Sequence, residues 1–392
     1  YLYMTICFCF LPATGASNGE IEGIEEIGAV VTALKVVQLG IWVWAGISKI
    51  GPWFPFVIQT MVCNSMTWPF TRQDAHRSMC ARWPTDLRCS KLCCLLAHFG
   101  CFSELLFPLL LAVGGRGVGY VTSQDEEPVQ EWVVSVGRVG LVICIGFHTF
   151  IFTQVAMGAP QEWNIFTVIN ALFLFGTHGG VSLADLKTLP YPLCLFLVVV
   201  EVVVPTLGNC RPKYVSFLTS MRYYAGNWPV SVWLVKRSAY HKLQKIKSAS
   251  GTFHDQLWNL YGPDGVRSSA EGKLMAWMSM HLPGRLLPKL IPLALGGDPA
   301  RFDEYQFFLG EVVAGFALGY NFGDGYLHGS FLLREVQARC GFESGECMHI
   351  FIDSCPIFDS KYPWVITDAT DPFGYVSCGE GDAHQLKNAQ PF

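Results

Sequence analysis

Charge is scarce in this chain. Only 15% of its 392 residues are Asp, Glu, Lys or Arg, against about 25% in soluble domains, and the net charge is −4. So few polar side chains cannot wet the surface of a globule this size. The weak, spread-out charge also excludes a chain-wide nucleic-acid footprint. Internal repeats and low-complexity tracts are missing, and no stretch is polar enough to remain unfolded by composition. A disulfide scaffold is excluded too: several of the fifteen cysteines, such as Cys93, Cys94, Cys101, Cys144 and Cys194, lie inside apolar runs and read as small hydrophobes. What is present instead is apolar surface: 51% hydrophobic residues, 14% aromatic, and a mean hydropathy of +0.33. This is the composition of a membrane protein.

Five runs are long enough to span the ~30 Å hydrocarbon layer: Ile27 to Ile50, Leu92 to Gly114, Val133 to Gly158, Trp163 to Gly180 and Leu189 to Gly208. Tyr1 to Leu11 is about half as long and reads as the tail of a further, cut helix. The expected fold is therefore a membrane all-α helical bundle, with residues 1–26 a truncated span and acidic loop and 27–208 the bundle. Residues 209–392 then form a mixed α+β soluble C-terminal domain, since hydropathy drops, turns multiply at Tyr261-Gly262-Pro263-Asp264-Gly265 and Gly296-Gly297-Asp298-Pro299, and His349 to Asp353 and Trp364 to Thr367 read as strands. Phe307 to Tyr320 is apolar for too short a length to span, and reads as a buried or interfacial helix.

Lys and Arg sort the connections by side. Thirteen lie between Gly51 and Lys91 or between the last span and Gly251, whereas the opposite connections carry two, Arg116 and Lys187, beside acidic clusters at Glu20, Glu22, Glu25, Glu26 and Asp125, Glu126, Glu127, Glu131. This alternation predicts that the C-terminal region, the basic loop and the short Ala159 to Glu162 turn share the inner face. The basic stretch Lys236, Arg237, Lys242, Lys245, Lys247 reads as an amphipathic helix on an anionic leaflet.

Ionisable groups inside a span cost about 2.5–3.5 kcal/mol each by insertion scales, so each needs a partner or a purpose. Here they are Lys35, Lys49, His98, Glu104, Arg138, His148 and Glu201, with Asn164, Asn170 and His178 as neutral company. Depth gathers most of them in the inner half: Lys49 closes the first span, while His98 and Glu104 lie about 9 and 18 Å into one that starts at that face. This grouping predicts an acid/base site with Lys49, His98, Glu104, His148 and Glu201 as catalytic candidates, and Glu162, Asn164 and Asn170 beside the substrate. Each residue also has a plainer reading: Lys49 as an interfacial anchor, Glu104 and Glu201 as hydrogen-bonded glue, and the histidines as satisfied core groups. No metal site is expected. His98-x-x-Cys101-x-x-Glu104 drifts about 60° per step around a helix, Cys93-Cys94 lacks the C-x-x-C spacing, and Gly323-Asp324-Gly325 lacks the further acids of a calcium loop.

Several stretches resemble the uncharacterised integral-membrane family of domain of unknown function 3556. They include Trp44-Ala45-Gly46-Ile47-Ser48-Lys49, Leu96-Ala97-His98-Phe99-Gly100 with Glu104, Phe147-His148-Thr149 with Glu162-Trp163-Asn164, Met221-Arg222-Tyr223-Tyr224-Ala225-Gly226-Asn227-Trp228 and Asn321-Phe322-Gly323-Asp324-Gly325. The resemblance implies an integral membrane protein and brings no activity with it. Ala45-Gly46-Ile47-Ser48-Lys49 and Phe147-His148 are also distantly similar to the membrane bundle of vitamin K-dependent carboxylase, where an equivalent Lys acts as base.

Two functions follow as expectations. One is a membrane-embedded enzyme acting on a lipid-soluble substrate through the Lys/His/Glu cluster. The other is a non-catalytic accessory subunit of a larger photosynthetic or respiratory membrane assembly, its many aromatics packed on neighbours. Membrane lipids are expected partners of either, other subunits of the second, and nucleic acid of neither. Reaction, cofactor and organelle are not legible.

Overall fold

Long apolar stretches become helices in a bilayer because each backbone polar group is then satisfied within its own segment. The computed structural model describes residues 2–10, 20–65, 71–114, 131–154, 158–181, 183–187, 189–222, 225–248, 251, 252, 254, 255, 258, 279–318 and 325–390. Among these, four helices are long and apolar enough to cross a membrane: Gly28–Ser48, Lys91–Val113, Val134–Gln154 and Tyr191–Cys210. The expected span Trp163 to Gly180 is not one of them. Its helix, α7 (Gly158–Ala171), starts before the expected turn at Ala159 to Glu162 and continues as a π-helix over Leu172–Thr177. Gln161, Glu162, Asn164 and Asn170 dilute its apolar character. The connections 11–19 and 115–130, the turn at 261–265, and Gly323-Asp324 lie outside the described residues.

The first segments are α1 (Leu2–Phe8) and α2 (Glu20–Ser48), followed by α3 (Phe54–Asn64), α4 (Arg72–Met79) and a hairpin of β1 (Cys80–Arg82) and β2 (Asp86–Cys89). Next come α5 (Lys91–Val113), α6 (Glu131–Gln154), α7, the short α8 (Leu183–Lys187), and a helix made of α9 (Tyr191–Val198), a π-turn (Val199–Val203) and α10 (Val204–Cys210). Two apolar cores hold the bundle. Met4, Cys7, Ala33, Val37, Leu193 and Leu197 join α1, α2 and α9, while Trp42, Phe107, Leu111, Cys144 and Phe175 join α2, α5, α6 and the π-helix after α7. Glycine lets α5 and α6 meet closely, since a Cβ at Gly114 would lie 2.3 Å from the Cα of Gly137.

The C-terminal region is built on a five-stranded antiparallel sheet in the order β6-β3-β7-β8-β9, with β3 (Val230–Lys236), β6 (Tyr305–Leu309), β7 (Cys347–Ile352), β8 (Lys361–Asp368) and β9 (Ser377–Asp382), while β4 (Lys247–Ser248) and β5 (Gly251–Thr252) pair with each other. Both strand-like runs read from the sequence are strands. The apolar segment after Phe307 is split: Phe307 pairs with Leu234 and Leu309 with Val232, and the helix begins only at Gly310 (Gly310–Leu318). Pairing with a central strand satisfies the backbone of those first residues, so helix is not the only way to bury them.

One face of this sheet shares a core with the base of the bundle. Phe54, Phe56, Val57, Ile58 and Val62 of α3, with Cys93 and Ala97 of α5, pack with Val232, Leu234, Leu287, Ile350 and Ile366. The other face is covered by Ala239, Leu243, Leu333 and Val336. The basic stretch after β3 is consequently not a leaflet-bound helix. It is a 3-10 helix, Arg237–Lys245, whose apolar side enters the protein's own core. Lys242 pairs with Glu346, Arg237 donates to the Asp303 carbonyl at 2.8 Å, and Lys245 donates to the Cys340 carbonyl at 2.9 Å.

Candidate functional site

Lys49 reaches Glu104 because α2 and α5 approach at a glycine. A Cβ at Gly46 would lie 2.7 Å from a Leu105 methyl, and the Gly46 carbonyl accepts from the Cys101 thiol at 3.6 Å. One turn on, the Lys49 ammonium and Glu104 Oε2 are 2.5 Å apart, with Lys49 8% and Glu104 4% exposed. Lys49 Nζ also donates to the Ala45 carbonyl at 3.2 Å and lies 5.6 Å from the centre of the Phe54 ring. The end of α2 is held in turn by the Trp53 indole, which donates to the Ser48 carbonyl at 2.9 Å.

His148 occupies a second site one layer deeper. The Trp42 indole N–H donates to its Nε2 at 3.0 Å, and its Nδ1 lies 2.7 Å from Asn164 Oδ1. An indole only donates, so Nε2 is the acceptor and the proton sits on Nδ1, facing the amide oxygen. The imidazole is thereby held as one neutral tautomer. Phe107, one turn along α5 from Glu104, packs edge-on to it at 6.1 Å.

The remaining candidates go elsewhere. His98 is exposed on the outer face of α5 and takes no place in the cluster, because the buried stripe of that helix runs Cys93, Ala97, Glu104, Phe107, Leu111. Glu162 is exposed as well. Asn170 donates to Gln38 Oε1 at 3.1 Å, tying α7 to α2. Lys35 is buried and donates to the carbonyls of His178 and Gly180 at 2.9 and 2.8 Å, where it caps the end of the π-helix. Glu201 lies in the π-turn, 6% exposed. A π-turn releases a carbonyl from the α-helical ladder, and the Trp44 indole fills that vacancy at 2.6 Å from the Glu201 carbonyl. The Glu201 carboxyl rests where Gly40 has no side chain, and its oxygens have no hydrogen-bond partner among the described residues.

Reading the sequence by ionisable residue passes over Trp42, Trp44 and Gln38, the groups that satisfy the cluster. It also misses two polar sites outside the bundle. On the sheet, Ser231 Oγ lies 2.8 Å from His349 Nε2. Burial pushes His349 down to about 3 and His328, beside it, down to about 4. Ser231 and His349 are 3% and 1% exposed, and their contact ties β3 to β7. The other is a row of thiols at the base of α5. The Arg222 and Asn227 segment is structural: Arg222 donates to Ser354 Oγ at 3.2 Å, and Asn227 exchanges hydrogen bonds with Cys355 at 2.7 and 2.9 Å.

No curated protein and no solved structure matches the chain. The likeness to the carboxylase bundle therefore rests on the two short motifs alone. A family model does match, over residues 23–392, and its description is a transmembrane protein of unknown function (DUF3556). With four apolar helices of spanning length and a match over nearly its whole length, the chain belongs to that family of integral membrane proteins.

Proposed function

We propose that the Lys49–Glu104 pair is the acid/base centre of an intramembrane site for a lipid-soluble molecule. The observation that carries this reading is the pair itself: two ionisable groups buried to 8% and 4% exposure at the end of an apolar helix. Desolvation makes such a pair costly relative to apolar packing, and an ionisable group at membrane depth marks function by default. Lys49 and Glu104 share a proton-exchanging contact, so together they take up or release one proton without bulk water. His148, fixed by Trp42 and Asn164, is a positioning group behind them, and Glu201 belongs to a separate patch. By the distribution of Lys and Arg, the C-terminal region stands on the inner face and closes this end of the bundle.

One observation favours the accessory-subunit reading. His98 stands among exposed Leu95, Phe99 and Phe102, and an imidazole on an otherwise apolar outer face calls for a polar partner from another chain. Gentle detergent extraction from the native membrane, followed by size analysis and mass spectrometry, separates the two. Migration alone with a bound lipid-soluble molecule, lost on Lys49→Met and on Glu104→Gln, is the expected result. Stoichiometric co-migration with subunits of a bioenergetic complex would overturn it.

A further inference from the structure

Four cysteines meet where α3, the β1–β2 hairpin and the start of α5 come together: Cys63, Cys80, Cys89 and Cys93, all free thiols. Cys80 and Cys89 are direct partners across the hairpin. Just outside them, Ser90 N–H donates to the Met79 carbonyl at 2.8 Å, which marks Cys80 and Cys89 as a non-hydrogen-bonded pair. Such pairs hold their Cα atoms about 4.5 Å apart, within the span of a disulfide. The Gln59 amide bridges the two sulfurs. Its Nε2 donates to Cys80 Sγ at 3.4 Å, and its Oε1 accepts from the Cys89 thiol at 3.6 Å.

The row extends at both ends. Cys63 is electrostatically linked to Cys80 and Cys93 to Cys89, and Cys93 donates to the Pro55 carbonyl at 3.2 Å. Burial is graded along it: Cys63, Cys80 and Cys93 are 5%, 4% and 0% exposed, whereas Cys89 is half-buried. One thiol of a connected row thus meets solvent.

We propose that this row is a thiol–disulfide exchange site for low-molecular-weight disulfides of the glutathione class, with Cys89 as the entry thiol and Cys80 as the resolving one. The Cys89 thiolate attacks one sulfur of the disulfide RSSR, forming Cys89–S–S–R and expelling RS⁻. The Cys80 thiolate then attacks Cys89 Sγ, the Cys80–Cys89 bond forms, and a second RS⁻ leaves. The two protein thiols lose two protons, which the two departing thiolates take up; the dithiol is oxidised and RSSR is reduced to two RSH. The donors on Cys80 suit its role: the Cys63 thiol, and after it the Gln59 amide, hold the Cys80 thiol below its ordinary range against the opposing effect of burial. A lower pKa raises the thiolate fraction that performs resolution.

The test uses the full chain in detergent, treated with oxidised glutathione, alkylated with N-ethylmaleimide, cut with trypsin and mapped by mass spectrometry. Trypsin separates the two partners, because Arg82 and Arg88 both lie between Cys80 and Cys89. The expected product is a disulfide-linked pair of peptides carrying Cys80 and Cys89, unchanged in Cys94→Ser. Cys80→Ser should retain glutathione on Cys89, and Cys89→Ser should take up none at the row. Absence of the Cys80–Cys89 crosslink in the unmutated chain would overturn the proposal whether or not the variants fold. So would a stoichiometric zinc or iron ion in the untreated protein that is lost on Cys63→Ser, since the thiols would then be ligands.

Discussion

Gly46 on α2 and Leu105 on α5 are so close that a methyl group at position 46 would sit 2.7 Å from a Leu105 carbon, and it is this approach that brings Lys49 onto Glu104. Gly46→Ala is expected to push the helices apart and to cost about 1–3 kcal/mol, the usual range for overpacking. Thermal melting of the detergent-solubilised protein measures it. A melt equal to the unmutated chain would show that Leu105 gives way freely.

Lys49 and Glu104 should be strongly coupled. Either Lys49→Met or Glu104→Leu alone strands a buried charge and is expected to destabilise by about 3–5 kcal/mol, whereas the double variant should come close to neutral. A double-mutant cycle in denaturant reads the coupling directly. Additive single effects would contradict a mutually dependent pair.

The His148 site makes a separate prediction. Asn164→Leu leaves the Nδ1–H of His148 facing an apolar side chain, and an unmade buried hydrogen bond costs about 1–3 kcal/mol. The effect of Trp42→Phe should be smaller in the Asn164→Leu background, because the ring is then free to turn. Unfolding midpoints of the two single variants and the double variant decide this.

Acid should loosen the sheet region first. Burial holds His328 at about 4 and His349 at about 3, below their ordinary value of 6.5. Histidines depressed in the folded state take up protons preferentially when unfolded. Their contribution is therefore intact above pH 6.5 and is lost progressively as pH falls toward 4, by about 1.4 kcal/mol per pH unit for each. Hydrogen exchange of β3 and β7 at pH 7 and pH 5 should show faster opening at pH 5, and His349→Gln should lessen the difference. Equal opening constants at the two values, with the base-catalysed intrinsic exchange rate at each pH divided out, would refute it.

Gly226 joins the sheet region to the bundle. Its φ is +77°, and a Cβ there would lie 2.7 Å from the Trp53 carbonyl oxygen. The left-handed backbone alone costs an alanine about 1–2 kcal/mol, and the backbone oxygen has little room to move. Gly226→Ala should lower the melting temperature and expose the α3 segment to protease, while Gly297→Ala, where φ is +81° but nothing lies within 4 Å, should show only the backbone effect.

Much of the architecture is legible from patterning. Apolar length marked five runs, four of which are helices of spanning size, and short apolar runs between turns marked β7 and β8. Those signals are local, since the periodicity of a segment reports the surroundings it requires. The fate of Trp163 to Gly180 and of the basic stretch after β3 was less legible, because an amphipathic segment suits a bilayer surface and a protein core equally well.

Depth could be read from the sequence, but direction could not be read from depth. His98 and Glu104 share α5 and differ by about 600° of helical turn, which leaves them some 120° apart around the axis; one faces outward and the other meets Lys49. The sequence by itself determined which residues are too polar for a bilayer and which helices carry them. Only the tertiary structure decided that Lys49 pairs with Glu104, that Trp42 and Asn164 fix His148, that Lys35 caps a helix end, and that thiols from α3, the β1–β2 hairpin and α5 form one row. Helix phase, close approach at glycine and cross-strand register set those contacts, and all three depend on which element packs beside which.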